Sequence, residues 1–307
     1  MLRITLREME VFASIAAEQG NVTRAANSVG MTQSAASQAL DKLEAVLGVQ
    51  LFDRIGRRLV MNEHGRKLLP RARALLDSAG EMQEMFTTGG YHLRLGASMT
   101  IASYILPPHL AEFRAASPHA QVEMRVGNTH EIVAAVADLS VDFGLIEGPC
   151  HHPALVVEPW CEDELIVFTA AGHPLANRTV DRQELALADW VLRELGSGTR
   201  EEVERLLLPL VPGLNVVMEL GHPEAIKNAV AAGLGVSCLS RHVIGREIDA
   251  GLLVQVQAGL PGLGRMLYQV RHREKAITRG MEAFFGLGAK RNANVVAVES
   301  GVPSPLS

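Results

Sequence analysis

Cysteine is scarce: Cys150, Cys161 and Cys238 are the three in 307 residues, odd in number and without metal-finger spacing. That argues against a disulfide framework and against a zinc site. Long apolar runs are missing as well. No stretch reaches the roughly 18 residues of a membrane span, and Met1-Leu2-Arg3-Ile4 leads into a charged amphipathic pattern rather than a signal peptide, so a cytoplasmic protein is expected. Aromatics are low at 4%, yet a hydrophobic fraction of 48% and a charged fraction of 21% are ordinary for a folded chain, which excludes general disorder. Nor is there an excess of positive charge. With 29 basic and 34 acidic residues the net charge is −5, so nothing draws the whole molecule to nucleic acid, and any such binding must come from a local basic surface. The length is too great for one compact core and suits a small domain followed by a larger bilobed one.

Helical periodicity dominates the first ninety residues. Leu6, Met9, Phe12, Ile15 and Ala16 form one stripe closed by Gly20, and Asn21 or Thr23 caps a short second helix through Asn27. Gly30 turns the chain, and Thr32 caps a third helix with a buried stripe of Ala36, Leu40, Leu43 and Leu47. Residues 49–61 read as short alternating strands, a two-stranded wing. From His64 to Phe86 a long pattern resumes and ends at Gly89-Gly90, a linker helix whose apolar stripe needs a partner.

Beyond Gly90 the texture becomes α/β with a mainly parallel sheet. Strands are expected at 93–97, 122–126, 143–146, 165–169, 190–192, 216–220, 236–239 and 266–270. Helices are expected up to Phe113, over 132–139, from Thr199, over 225–232 and over 277–285. The organisation this predicts is a small winged three-helix domain over 1–63, a linker helix over 64–90 and a two-lobed domain over 91–290. Lobe I takes 91–150 and 265–290, lobe II takes 160–260, the crossings near 147–159 and 259–265 form the hinge, and 291–307 are a mobile tail.

A recognition helix in the major groove needs short or amide side chains that reach base edges. Gln33, Ser34, Ser37, Gln38 and Lys42 supply that face. The alternative is a merely solvated face, but Ala25-Ala26 permits close helix crossing, Gly30 sits in the turn, and Thr32 sets a helix start where a phosphate can dock. Arg54, Arg57 and Arg58 then cluster in the wing as a phosphate clamp, with Arg66, Lys67, Arg71 and Arg73 behind them.

These residues carry a resemblance. Thr23-Arg24-Ala25-Ala26, Thr32-Gln33-Ser34-Ala35-Ala36-Ser37, Leu43-Glu44, Leu47-Gly48, Leu51-Phe52-Asp53-Arg54 and Glu63-His64-Gly65 resemble the N-terminal signature of LysR-type transcriptional regulators. The likeness covers roughly residues 2–290 and departs at Ser34, where that family often has proline. It implies a winged helix-turn-helix, with Arg24 among the DNA contacts, and an effector-binding domain of periplasmic-binding-protein type. It further implies dimerisation through 66–86, commonly a tetramer on operator DNA, and RNA polymerase as a further partner.

In the larger domain, small polar residues stand where helices begin: Ser98-Met99-Thr100, Asn128-Thr129, Gly196-Ser197-Gly198-Thr199 and His222. Unpaired N–H groups and hydroxyls at helix starts bind anions or carboxylates. Plain capping explains any one of them alone. Their joint placement after strands, in the usual ligand crevice of α/β folds, favours a small anionic effector. Glu147 joins this candidate set, and Arg200 either adds charge or else caps or salt-bridges outside the pocket. The runs Leu145-Ile146-Glu147-Gly148-Pro149, 193–200 and Glu224-Ala225-Ile226-Lys227 resemble the branch of that family concerned with sulfur and carbon assimilation. The resemblance implies a sulfite-like oxyanion first and a small carboxylate second.

Cys150-His151-His152 invites a metal or thiol-switch reading but lacks a second ligand group and reads as a surface loop, while Cys161 and Cys238 read as buried small hydrophobes. No cofactor, metal or catalytic set is expected. An enzyme would need a Ser-His-Asp motif, a phosphate-cradling loop or a metal helix, none of which is present. A transport-type solute-binding protein would need export and would not need the helix opened by Thr32.

Overall fold

The computed structural model describes residues 3–55, 58–84 and 92–287. Arg57, Phe86, Gly89-Gly90 and the segment 291–307 lie outside the described residues, as does the side chain of Arg58. The chain divides into two compact units, the first built from the residues up to His92 with Ser117–Gln121 and His272–Glu282, the second from the remainder.

The first unit opens with α1 (Leu6–Ala17), α2 (Val22–Ser28) and α3 (Gln33–Leu47). Each begins where a short polar side chain satisfies backbone donors left unpaired in the first turn. Thr5 and Glu8 form a reciprocal capping box on α1, Asn21 rather than Thr23 accepts from Arg24 N at 3.1 Å, and Thr32 accepts from Ala35 N at 3.3 Å. The buried stripe joins Met9, Phe12 and Ile15 of α1 to Ala25 and Ala26 of α2 and Ala36, Leu40 and Leu43 of α3. Leu6 stays exposed at the helix start. Strands β1 (Phe52–Ile55) and β2 (Arg58–Met61) form the antiparallel wing, and Phe52 meets the Phe12 ring edge-on at 5.7 Å. Gly20 (φ +83°) is required here, because a Cβ would lie 1.8 Å from the Leu59 carbonyl oxygen of the wing. Helix α4 (Glu63–Glu84) packs along α1 and leaves Leu75 and Met82 exposed.

The second unit is one sheet of nine strands flanked by helices. In chain order come β3 (His92–Ser98), a π-helical turn at Ile101–Ile105, α5 (Leu106–Ala116), β4 (Gln121–Gly127), α6 (Thr129–Ala137) and β5 (Phe143–Glu147). Next are β6 (Leu155–Ala170), α7 (Arg182–Leu187), β7 (Asp189–Arg193), α8 (Gly198–Leu207) and β8 (Asn215–Leu220). The unit continues with α9 (Pro223–Ala231), β9 (Val236–Ser240), α10 (Arg241–Asp249), β10 (Leu253–Gln255) and β11 (Leu263–His272), and of the helical residues 279–287 it takes those from Ala283 on. The main path runs β4-β3-β5-β11-β6-β9-β7-β8, with β10 on β6.

The sheet is mixed rather than mainly parallel. Pairs β3–β5, β7–β8 and β7–β9 are parallel, as right-handed strand–helix–strand units dictate, whereas β11 is antiparallel to β5 and β6 antiparallel to β9. The two antiparallel strands, β6 and β11, are the ones that pass between the lobes. Lobe I packs α6 on the sheet around Ile132, Val136 and Ile146. Lobe II buries both faces, one around Trp190, Leu192 and Val203, the other around Phe168, Ile226 and Val230. That burial explains why its strands are continuous apolar runs. Within each lobe the parallel strands end on the same side, which gathers Ser98, Glu147 and Arg193 at the carboxyl ends of β3, β5 and β7.

Candidate effector site and nucleic-acid interface

Helix α3 presents Gln33, Ser34 and Gln38 to solvent and half-exposes Ser37, while Ala36 and Leu40 anchor its other face. Thr32, also exposed, spends its hydroxyl on the helix start. The cations around this face are engaged. Arg24 pairs with Glu18, Arg54 stands 3.6 Å from Asp41, and Lys42 Nζ lies 2.7 Å from Glu8 Oε1. Glu8 is buried, and its hydrogen bond from Lys42, with one from the Thr5 backbone, holds its carboxyl below the usual carboxylate range. Lys42 therefore ties α3 to α1 as well as standing on the outer face. Arg24 and Arg54 are surface pairs of small worth, which a DNA phosphate can displace at little cost.

In the second unit the predicted effector residues converge on one side chain. Glu147 is fully buried, and its Oε1 accepts from Ser98 Oγ at 2.7 Å and from Thr100 N at 3.2 Å. Its Oε2 accepts from Thr199 Oγ1 and stands 3.5 Å from Arg265 Nη1. Arg265 Nη1 also donates to Thr199 Oγ1 at 3.0 Å, and its Nε and Nη2 reach Asp163 Oδ2 at 2.8 and 2.7 Å. Ser240 Oγ closes the chain onto Asp163 Oδ1 at 2.7 Å. Burial opposes the Glu147 charge, but Arg265, the Thr199 and Ser98 hydroxyls and Arg193 together outweigh it and hold the pKa below the ordinary value. One carboxylate from lobe I is thus clamped by donors from both lobes.

Some of the other predicted residues adjoin this knot. Thr129 Oγ1 donates to the Glu147 carbonyl oxygen at 3.4 Å, and Met99 Sδ accepts from Arg193 Nη2 at 3.7 Å. Gly196 O accepts from His130 N at 3.1 Å, a further tie between lobes. Gly198 touches the lobe I backbone so closely that a Cβ there would sit 1.6 Å from Glu147 O. Asn128 and His222 are helix caps: Asn128 completes a capping box with Glu131, and His222 Nδ1 accepts from Glu224 N at 3.2 Å on the exposed start of α9.

Comparison with known proteins places this geometry. The family model for the bacterial regulatory helix-turn-helix protein, lysR family, matches residues 6–66, and that for the LysR substrate binding domain matches residues 88–291. The chain belongs to the LysR family. It is 49% identical over 92% of its length to the uncharacterized HTH-type transcriptional regulator YeiE of Escherichia coli, covering 96% of that protein. A full-length variant of OxyR from Pseudomonas aeruginosa shares the fold, with a TM-score of 0.73 at 23% identity over 94% of this chain and 95% of the other. The regulatory domain of Synechocystis CcmR, solved in complex with 2-PG, is 29% identical with a TM-score of 0.59, matching 66% of this chain and 97% of that one. A winged helix-turn-helix followed by a two-lobed effector-binding domain makes this a LysR-type transcriptional regulator, and its relatives are regulators, not enzymes.

Several features of this LysR-type regulator lay beyond sequence reasoning. Arg265 and Asp163 carry no local spacing that marks them, since Thr199 and Asp163, the partners of Arg265, sit 66 and 102 residues away from it in the chain. Arg193 appeared only inside a resemblance run, yet it is 2% exposed at the end of β7. Tyr104 donates to Glu224 across the lobes, and burial first, then Glu224, raises its pKa. Arg200 is buried and pairs with Glu204 and Glu219, donating through Nη1 to Arg193 O at 3.0 Å, so it braces the strand beneath the cleft. Cys161 is half-buried rather than buried, since it stands where β6 passes from its exposed stretch at Glu158 and Pro159 to its buried one from Leu165 onward. Cys238 is buried, and loss of solvent pushes its thiol up to about 12. Among the described residues no group of three or more His, Cys, Asp or Glu is placed to hold a metal, and no helix is long and apolar enough to cross a membrane.

Proposed function

We propose that this regulator reads operator DNA with α3 and the wing, and that a small anionic effector between its lobes controls the binding or bending of that DNA. The observation that carries the reading is the convergence of Ser98, Thr100, Thr129 and Thr199 on one inter-lobe knot around Glu147. A ligand entering there changes the angle between the lobes, which resets how paired copies sit on the duplex. Residues 1–63 form the DNA-binding domain, 64–90 the dimerisation helix and 91–290 the sensing domain, with the exposed Leu75 and Met82 on the side that seeks a partner. The assembly is a homotetramer built from dimers, acting in the cytoplasm with RNA polymerase. A sulfite-like oxyanion is the first candidate effector and a small carboxylate the second. Support for an anion comes from CcmR, a relative solved with 2-PG.

Footprinting on the DNA upstream of the reading frame, with and without sulfite, tests both halves. Protection of a defined site whose extent shifts with sulfite is expected. Gln33→Ala should relax sequence preference, whereas Arg54→Ala should weaken binding to all duplexes and reduce the salt slope by about one unit. The reverse pattern in gel shifts would overturn these role assignments.

A further inference from the structure

Arg193 is buried at 2% exposure, and its Nη1 has no hydrogen-bond partner. The hydroxyls of Thr100 and Ser197, each 1% exposed, are in the same condition. Leaving a buried donor of this kind unpaired is costly, more so for a charged group, so three together call for a common explanation. All three adjoin residues of the Glu147 knot. Arg193 Nη2 rests on Met99 next to Thr100, and Arg193 is close enough to Glu147 to help hold that carboxyl ionised. Ser197 stands at the N-cap of α8 without capping it, one turn of chain beyond Arg193 and beside Gly198 and Thr199, which touch Glu147. Lobe I supplies Thr100 and lobe II supplies the other two.

The remaining edge of the Arg193 guanidinium is occupied from within. Its Nε and Nη2 donate to Glu194 Oε2 and Oε1 at 2.8 and 2.9 Å. Glu194 is 26% exposed on its side chain, so it can swing to water, whereas Arg193 cannot. The Glu147 charge is offset in part by Arg265, 3.5 Å from its Oε2, and its oxygens are already taken by other donors. Resting on the reading of this cleft as the effector site, we propose that Arg193 is the anchor for the effector's negative charge and that Glu194 is an internal carboxylate competing for it. The ligand class is then a compact oxyanion that takes Arg193 and the Ser197 and Thr100 hydroxyls at once.

Titration calorimetry on the full chain with sulfite, 2-phosphoglycolate and acetate tests this, using Arg193→Met, Ser197→Ala and Glu194→Gln with melting curves as the fold control. Arg193→Met should weaken the tightest-binding anion by at least about tenfold, and Ser197→Ala by about threefold or more, as expected for loss of a charged and of a neutral hydrogen bond. Glu194→Gln should move the other way and tighten binding, because the competitor is gone. Wild-type binding that Ser197→Ala and Glu194→Gln leave within twofold, or that Glu194→Gln weakens, overturns the proposal while the effector reading stands. Should Arg193→Met fail to fold, those two variants decide alone. No binding of any of the three anions by the wild-type chain defeats the anionic-effector reading itself, and this proposal with it.

Discussion

Alanine at position 198 offers a direct test of whether the lobes must meet as they do here. The added Cβ would stand 1.6 Å from Glu147 O and 2.5 Å from Thr129 Oγ1, against an ordinary contact that begins at 3.4 Å. Backbone cannot rotate out of the way, so the start of α8 must retreat by roughly 2 Å in a close-packed interior. Such a retreat carries Thr199 out of reach of Glu147 and stretches the 3.0 Å bond from Arg265 to Thr199. Overpacking of this kind costs about 1–3 kcal/mol, and a clash with backbone belongs at the upper end. Because the lobes can part instead of unfolding, the penalty falls on the closed arrangement. A penalty of about 3 kcal/mol lowers its population by about a hundredfold and weakens an effector that needs it by the same factor. Calorimetry with the strongest-binding anion should register that loss, with a melting temperature only a few degrees down. Gly198→Ala protein that binds the anion within about twofold of wild type would refute the argument that closure passes through this contact.

Other substitutions separate structural from sensing roles. Glu147→Gln removes the charge that both lobes clamp, and with Arg265 still held by Asp163 the loss should be near 3 kcal/mol, the low end for a broken buried pair, in denaturant melts of the effector unit. Glu147 ionises below the ordinary carboxylate value of 4.5 when folded. Its charge therefore adds stability fully present above that value and lost as pH falls through the depressed native one, so acid melts of wild type should steepen there and those of Glu147→Gln should not. Asn128→Ala should cost about 1 kcal/mol through loss of the capping box and leave anion affinity unchanged. Lys42→Met should cost about 1 kcal/mol, since the Lys42 side chain is 64% exposed but Glu8 is not, and thermal melting of the first unit reads it.

Legibility in the sequence followed the range of the interactions. Helix starts at Asn21 and Thr32 and the stripe Ala36, Leu40 and Leu43 rest on contacts within a few residues and stand as read, while Leu47, expected in that stripe, is only half-buried at the end of α3. Strand β6 was expected only over 165–169, because Glu158, Pro159 and the acidic run Glu162-Asp163-Glu164 hide its first ten residues from any hydrophobic pattern. Helix α10 went unread between two apolar strands. At the cleft, small polar residues at helix starts do come together, and Ser98 and Thr199 serve Glu147. Arg265 carries no signal in the sequence and Arg193 none beyond the resemblance run 193–200, since a buried arginine is recognisable only from partners brought up by the fold.

Strands β6 and β11 lie side by side in the middle of the sheet and belong to both lobes. A two-strand ribbon held by a hydrogen-bonded ladder resists bending far more than a loop does, but it yields to winding about its own length. Signal transfer in this molecule should accordingly be torsional: a few degrees of wind in the ribbon, small in amplitude at the cleft, become a displacement of the outermost strands β4 and β8 in proportion to their distance from that axis.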